Sequence, residues 1–392
     1  MKVSILTGGS DKTYAFGLLL SLIGRGVEVD FIGSDELNDE NIINRENVNF
    51  YNLRGDQNPK SPFHIKINRV LVYYIKLLVY TMKTDSKVFH ILWLNKFVFF
   101  DRTIMNLIYK MFGKKLVFTA HNIDQQERDR KSTKINKISL QILYNIVDHI
   151  FVHTEKMKYQ LINEFNIDGK KIKVIPFGIN TLIPVTDIKR EEAKKKLGLN
   201  LSNKIILFFG RIAPYKGLEL LISAFDRVVK SNDDYRLVIA GQTMDRNSKG
   251  YWKNIKEMIV ERELQKYIIQ RIEYIPDEDI EIYYKSADVL ILPYSHIFQT
   301  GVLFISYYFG LPVIATDVGS FREDIIDGKT GLVCNKNDEI GLSGKIIEYF
   351  NSNLYDNIEN NCKYIQEYAN EKYSWDKVSL DTIGIYKKVL NI

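Results

Sequence analysis

Cys334 and Cys362 are the only two cysteines in 392 residues, so no disulfide framework is available and a reducing cytoplasm is the expected setting. No stretch approaches the ~20 uncharged apolar residues that a spanning helix needs. The opening "MKVSILTGGSDKTYAF" reads as a strand entering a loop and a helix, not as a signal peptide. Also missing are G-x-G-x-x-G after the first strand, a Walker A loop, H-E-x-x-H and cysteines at zinc spacing. A dinucleotide site and a zinc site are therefore unsupported. No short-period repeat or low-complexity tract interrupts the chain.

What remains has the composition of a soluble globular protein, 45% hydrophobic and 26% charged, with length enough for two domains. The net charge of +6 is unevenly spread. Residues 51–134 carry sixteen Lys and Arg against six Asp and Glu, while the first 50 carry four against eight. A basic surplus suits anionic lipid or an anionic substrate; an ordinary lysine-rich surface would look the same. Within it, "INRVLVYYIKLLVYTMK" (67–83) fits a helix lying on an anionic bilayer surface, or one buried in the first domain.

Strand and helix patterns alternate in both halves. Near-continuous apolar strands are expected at 2–7, 27–33, 48–53, 88–94, 115–120, 149–153 and 172–176, and again at 204–209, 236–241, 272–276, 288–293, 312–316 and 331–334. Such strands belong in parallel sheets covered on both faces. "GINTLIPVTDIKR" (178–190) reads as a linker. The expected organisation is an N-terminal domain over 1–183, a C-terminal domain over 184–372, and a last helix over 373–392 packing back toward the first domain.

Several strand ends carry chemistry. "FFGRIAPYKG" (208–217) places Arg211 and Lys216 at the carboxyl end of a strand, where open α/β sheets bind ligands. Neither cation is expected in the core. "TGGSDK" puts Gly8 and Gly9 ahead of a helix, where backbone can approach an anion or simply make a tight turn. "TAHN" leaves His121 at a strand edge, for chemistry or for structure. "QTGV" places Gln299, Thr300, Gly301 and Val302 before a helix, with free amides suited to a diphosphate and a glutamine able to donate from its amide. Asp277 and Asp279 form a D-x-D pair that suits a metal less well than a helix start, with Asp277 as N-cap.

Taken in order, "VIPFGIN", "GRIAPYKG", "ADVLILPY", "FGLPVIATDVGS" and "IIDGKTGLV" resemble glycosyltransferase family 4. The resemblance implies the α/β GT-B fold, two doubly wound Rossmann-like domains facing each other across a cleft. It implies a nucleotide-sugar donor, transfer with retention, and no metal or other cofactor. It also makes Arg211 and Lys216 the ligands of the donor diphosphate, places His121 near the transferred sugar, and lets the amides of Thr300, Gly301 and Val302 cradle phosphate. His121, Arg211 and Lys216 are thereby the catalytic candidates, and Gly8, Gly9 and Gln299 join the donor set.

One departure stands out. The family's two glutamates fall on Ile297 and Ile305, leaving Gln299 to supply part of the ribose contact. The expected acceptor is lipid-linked or an oligosaccharide, in surface polysaccharide assembly (capsule, exopolysaccharide or O-antigen), with peripheral contact at the inner membrane face and no nucleic acid. A catalytically weak partner subunit is the alternative, and a nucleotide-sugar oxidoreductase or epimerase is disfavoured by the missing glycine fingerprint.

Overall fold

The computed structural model describes every residue except 9–11, 59, 96, 125–132 and 180. Gly9 lies outside the described residues. Two compact units make up the chain: Met1–Gly178 together with Tyr373–Ile392, and Ile179–Lys372.

The first unit holds β1 (Lys2–Leu6), β2 (Glu28–Gly33), β3 (Val48–Asn52), β4 (Val88–Ile91), β5 (Lys115–Thr119), β6 (His149–Val152) and β7 (Ile172–Val174). They form one parallel sheet ordered β3-β2-β1-β4-β5-β6-β7. The second holds β8 (Lys204–Phe209), β9 (Tyr235–Ala240), β10 (Ile268–Arg271), β11 (Val289–Leu292), β12 (Val313–Thr316) and β13 (Gly331–Cys334). Its order is β10-β9-β8-β11-β12-β13, again parallel. Chain direction across each sheet reverses once, between β1 and β4 and between β8 and β11. At such switch points the connections from adjacent strands run to opposite faces of the sheet, and ligands bind at the strands' carboxyl ends.

Helices cover the sheets through apolar stripes. In Leu218–Ser231 the residues Leu218, Leu221, Ile222, Phe225, Val228 and Val229 recur at helical spacing and are all buried. Each such side chain contributes about 1.5–3 kcal/mol by leaving water, so truncating Phe225 would cost about 3–5 kcal/mol. The helix Lys12–Ile23 is apolar almost all round because it is covered twice. It lies in the first unit's core with β1 and β2, and the C-terminal helix Trp375–Leu390 packs on it. Arg25 Nε donates to Ser379 Oγ at 3.0 Å to hold that helix.

Two local expectations fail. The strand expected at 272–276 is a loop, and the pairing segment is the preceding Ile268–Arg271. The alternation in "IEYI" resembled a strand, but "IIQR" already pairs β9 up to its last residue, and 272–276 carries the chain away to the next helix. Asp277 is not the N-cap of that helix: Pro276 is, and Asp277, Glu278 and Asp279 occupy the first turn. The macrodipole accounts for all three acids there.

Candidate functional site

In the second unit, the loops leaving β8 and β11 meet. Ser295 N–H donates to Tyr215 O at 2.8 Å, tying one loop to the other. Gly210 sits between their key side chains at φ 103°. A Cβ there would lie 3.2 Å from Lys216 Nζ and 3.3 Å from Val302 Cγ2. Lys216 and Val302, 86 positions apart in sequence, therefore converge on one glycine.

Lys216 corrects an expectation: it is buried, 5% exposed. Pro214–Lys216 forms a single turn, and the side chain that leaves it reaches toward Tyr294 and Gly210. Nζ lies 5.0 Å from the Tyr294 ring centre and makes no ion pair among the described residues. Loss of water lowers its pKa to about 8, opposed in part by Tyr215 and reinforced to a lesser degree by the Arg211 charge. A buried cation facing only a ring is an incomplete arrangement, since the face of an aromatic compensates a charge only in part. An anion would complete it.

Arg211 stays outside, with 41% of its side chain exposed, and Nη2 pairs with Asp245 Oδ2 at 3.0 Å. Asp245 also caps the helix Arg246–Glu261, accepting from Ser248 N at 2.7 Å. Those Ser248 hydrogen bonds first, and Arg211 after them, hold its carboxyl below the usual range. In this state the guanidinium is parked on a carboxylate that a bound anion would have to displace.

The helix Gly301–Tyr308 starts at Thr300, whose Oγ1 accepts from Val302 N at 3.3 Å. One of the three amides expected to cradle phosphate is thus taken, because threonine is itself a good cap. Gln299 is partly engaged. Its Nε2 donates one N–H to Asp324 Oδ2 at 3.1 Å, and the buried atom without a partner is the carbonyl Oε1. Asp324 is fixed in turn by Ser320 Oγ at 2.6 Å. Besides its second N–H, Gln299 thus offers a ligand an acceptor, suited to a hydroxyl group.

In the first unit, the loops after β1 and β4 touch at Gly8, where φ is 59° and a Cβ would come 2.3 Å from Trp93 O. Packing alone demands glycine there. The Trp93 ring stacks on His121, with centres 4.3 Å apart and planes 6° from parallel. His121 Nδ1 lies 3.1 Å from His153 Nε2, and His153 Nδ1 lies 3.3 Å from Ile175 O.

A carbonyl only accepts, so His153 carries its proton on Nδ1 and turns a lone pair toward His121. His121 must then be protonated on Nδ1, which leaves Nε2 as an acceptor, buried and without a partner. Burial first, then the neighbouring histidines, push the His121 pKa well below its ordinary value. The ring is neutral and presents a lone pair.

Sequence reading missed Asp245, Asp324 and His153. The D-x-x-S capping pattern at 245–248 was legible, and His153 ends β6 much as His121 follows β5. Asp324 gave no local signal. Among the described residues no group of three or more His, Cys, Asp or Glu could hold a metal ion.

Family comparisons agree with this layout. The model for glycosyl transferases group 1 matches residues 189–372, and that for glycosyltransferase family 4 matches residues 12–181. D-inositol 3-phosphate glycosyltransferase of Corynebacterium aurimucosum is 29% identical over 240 residues, 58% of this chain and 56% of that protein. The matches thus span little more than half the length of such curated relatives.

Sucrose-phosphate synthase from Thermosynechococcus elongatus has a similar structure, with a TM-score of 0.79 at 18% identity, covering 100% of this chain and 99% of that one. HepE of Anabaena, solved in complex with UDP, gives 0.76 at 13% identity, covering 99% and 100%. At these identities the likeness concerns the fold: two Rossmann-like units of the GT-B type. The chain belongs to glycosyltransferase family 4.

Proposed function

We propose that the protein transfers a sugar from a nucleotide-sugar donor to an acceptor, with retention and without a metal ion. The observation that carries this reading is Lys216, a buried cation at the switch point of the second unit with no acidic partner among the described residues. Departure of a nucleoside diphosphate builds negative charge on its phosphates, and a pre-placed cation stabilises that charge without reorganising. Arg211 adds a fork able to hold two phosphate oxygens once it leaves Asp245. The amides of Thr300 and Gly301 supply further donors, and Gln299 Oε1 an acceptor for a donor hydroxyl. In the first unit, His121 Nε2 accepts from a hydroxyl of the sugar.

Surface polysaccharide assembly on a lipid-linked acceptor is the setting we favour. The helix Phe63–Lys83 supports it, turning Leu71 (55% exposed), Ile75 (62%) and Met82 (56%) to solvent beside Lys76 and Lys83. Apolar side chains flanked by lysines match the outer layer of an anionic membrane. No helix among the described residues is long and apolar enough to cross one.

A screen of UDP-, GDP- and TDP-sugars for nucleoside diphosphate release, with and without chelator, tests the proposal. Release from at least one donor, unaffected by chelator, is expected. Ile297 and Ile305, where the family carries glutamates, favour a second reading as a weakly active partner subunit. Nucleotide binding without release from any donor would select it.

A further inference from the structure

The first unit contains a second basic site that the donor chemistry does not use. The segment after β3, the start of the helix Phe63–Lys83 and the loop after β4 line a small, partly open pocket of about 30 Å³, with Arg54, Asn58, Lys66, Arg69, Tyr73 and Asn95 among its walls. It lies at the carboxyl edge of the sheet. The segment Trp93–Asn95 links it to His121, since Trp93 stacks on that ring.

Its polar groups are incompletely satisfied. Arg54 lies over Tyr73, with Cζ 5.9 Å from the ring centre. Its Nη2 donates to Gln57 Oε1 at 3.3 Å, while Nη1 is buried with no partner. The nearby buried carboxylate is already occupied: Asp101 accepts from Tyr74 Oη at 2.8 Å and from Asn95 N at 2.6 Å, and it makes no ion pair with Arg54. Arg69 pairs with the exposed Asp56 at 2.5 Å. Lys66 makes no ion pair among the described residues. Asn95 Oδ1 is a buried acceptor without a partner.

An arginine that feels the Asp101 charge but keeps one buried nitrogen unpartnered, a lysine with no ion pair among the described residues, an aromatic wall and one orphan amide oxygen form a chemically readable set. Arginine and lysine together suit a phosphoryl group, the arginine as a fork and the lysine as a point charge. The amide oxygen suits a neighbouring hydroxyl. We propose that this cavity binds a phosphoryl group of the acceptor, with an adjoining hydroxyl held by Asn95. The proposal rests on the glycosyltransferase reading and names the chemistry of its acceptor, a phosphorylated sugar or polyol, free or as a lipid headgroup.

Calorimetric titration of the full chain with glucose 1-phosphate, and with glucose as the uncharged control, tests it. The parent should bind glucose 1-phosphate more tightly than glucose, and affinity should fall as salt rises. Arg54→Gln and Lys66→Gln should each weaken glucose 1-phosphate binding about 10-fold, the order of one charge-assisted hydrogen bond. Both should melt as the parent does and release nucleoside diphosphate from donor alone at the parent rate.

Sedimentation with phosphatidylglycerol vesicles distinguishes the source. Binding that drops in Arg54→Gln marks a lipid headgroup, and vesicle binding that ignores it while glucose 1-phosphate binding drops marks a soluble phosphate. If neither probe binds the parent, or both variants bind both probes as the parent does, the proposal is overturned. Failure of the glycosyltransferase reading looks different: no donor releases nucleotide, yet Arg54-dependent phosphate binding persists.

Discussion

Removing the Lys216 charge should make the ligand-free protein more stable and the enzyme nearly inactive. The charged form in the fold has lost water and gained only the face of Tyr294. A fall from 10.5 to about 8 costs the folded state about 3 kcal/mol at pH 7. Lys216→Met keeps most of the volume and removes the charge. It forfeits the ring interaction, about 0.5–2 kcal/mol, so the net gain expected is about 1–2.5 kcal/mol. In a domain of this size that raises the melting temperature by about 2–10 °C.

The sign with pH can be worked out. Below pH 8 the lysine is protonated in both states and the whole cost stands. Between about 8 and 10.5 the unfolded chain holds more protons than the folded one, so stability rises with pH and the advantage of methionine shrinks. A bound diphosphate restores the proton, so titration with UDP near pH 8 should take up protons, read as a dependence of the calorimetric heat on buffer ionisation enthalpy. Transfer should slow about 10²–10³-fold. A methionine variant that melts below the parent refutes the uncompensated charge. One that also keeps the parent rate removes Lys216 from the site.

Asp245→Asn keeps a good cap but releases Arg211; UDP should bind a few-fold tighter, whereas Arg211→Ala should slow transfer about 10²–10³-fold with partial rescue by Arg211→Lys. Gln299→Ala should weaken donor binding by about 1 kcal/mol, and Gln299→Glu should weaken it more, because a carboxylate there meets Asp324; nucleotide titration checks both. His90, His149 and His153 are held neutral by burial, with pKa values lowered to about 3, 4 and 4. The unfolded chain therefore binds more protons below pH 6.5, each histidine removing about 1.4 kcal/mol of stability by pH 5.5, so the melting temperature should drop steeply between pH 7 and 5.5. Ile75→Glu should reduce sedimentation with phosphatidylglycerol vesicles and leave nucleotide release unchanged; equal binding of the parent to neutral and anionic vesicles would sink the electrostatic version.

Most of the architecture was readable because parallel strands buried on both faces leave apolar runs that periodicity cannot hide. "KIILFF", "DVLILP" and "GLVC" correspond to β8, β11 and β13 to within a residue or so. The strand misplaced to 272–276 shows where that logic weakens. β10 is an edge strand with only Ile268 buried and Arg271 exposed, so the alternation that follows it reads more strongly than the strand itself.

The site was legible as a list of charges, not as pairings. A sequence places Arg211 and Lys216 after one strand, but which of them meets a carboxylate depends on a loop 34 residues further on. That contact leaves the exposed arginine neutralised and the buried lysine bare, the reverse of what exposure alone suggests. Gln299 follows the same rule. Its amide was expected to reach a ligand, yet Asp324 lies in a turn formed after the next strand and claims one of its two N–H groups. The free carbonyl then offers an acceptor in the segment where the family's glutamates would have offered carboxylates. Asp324 therefore orients Gln299 and leaves its acceptor side in need of a partner, and local sequence cannot register a contact that distant.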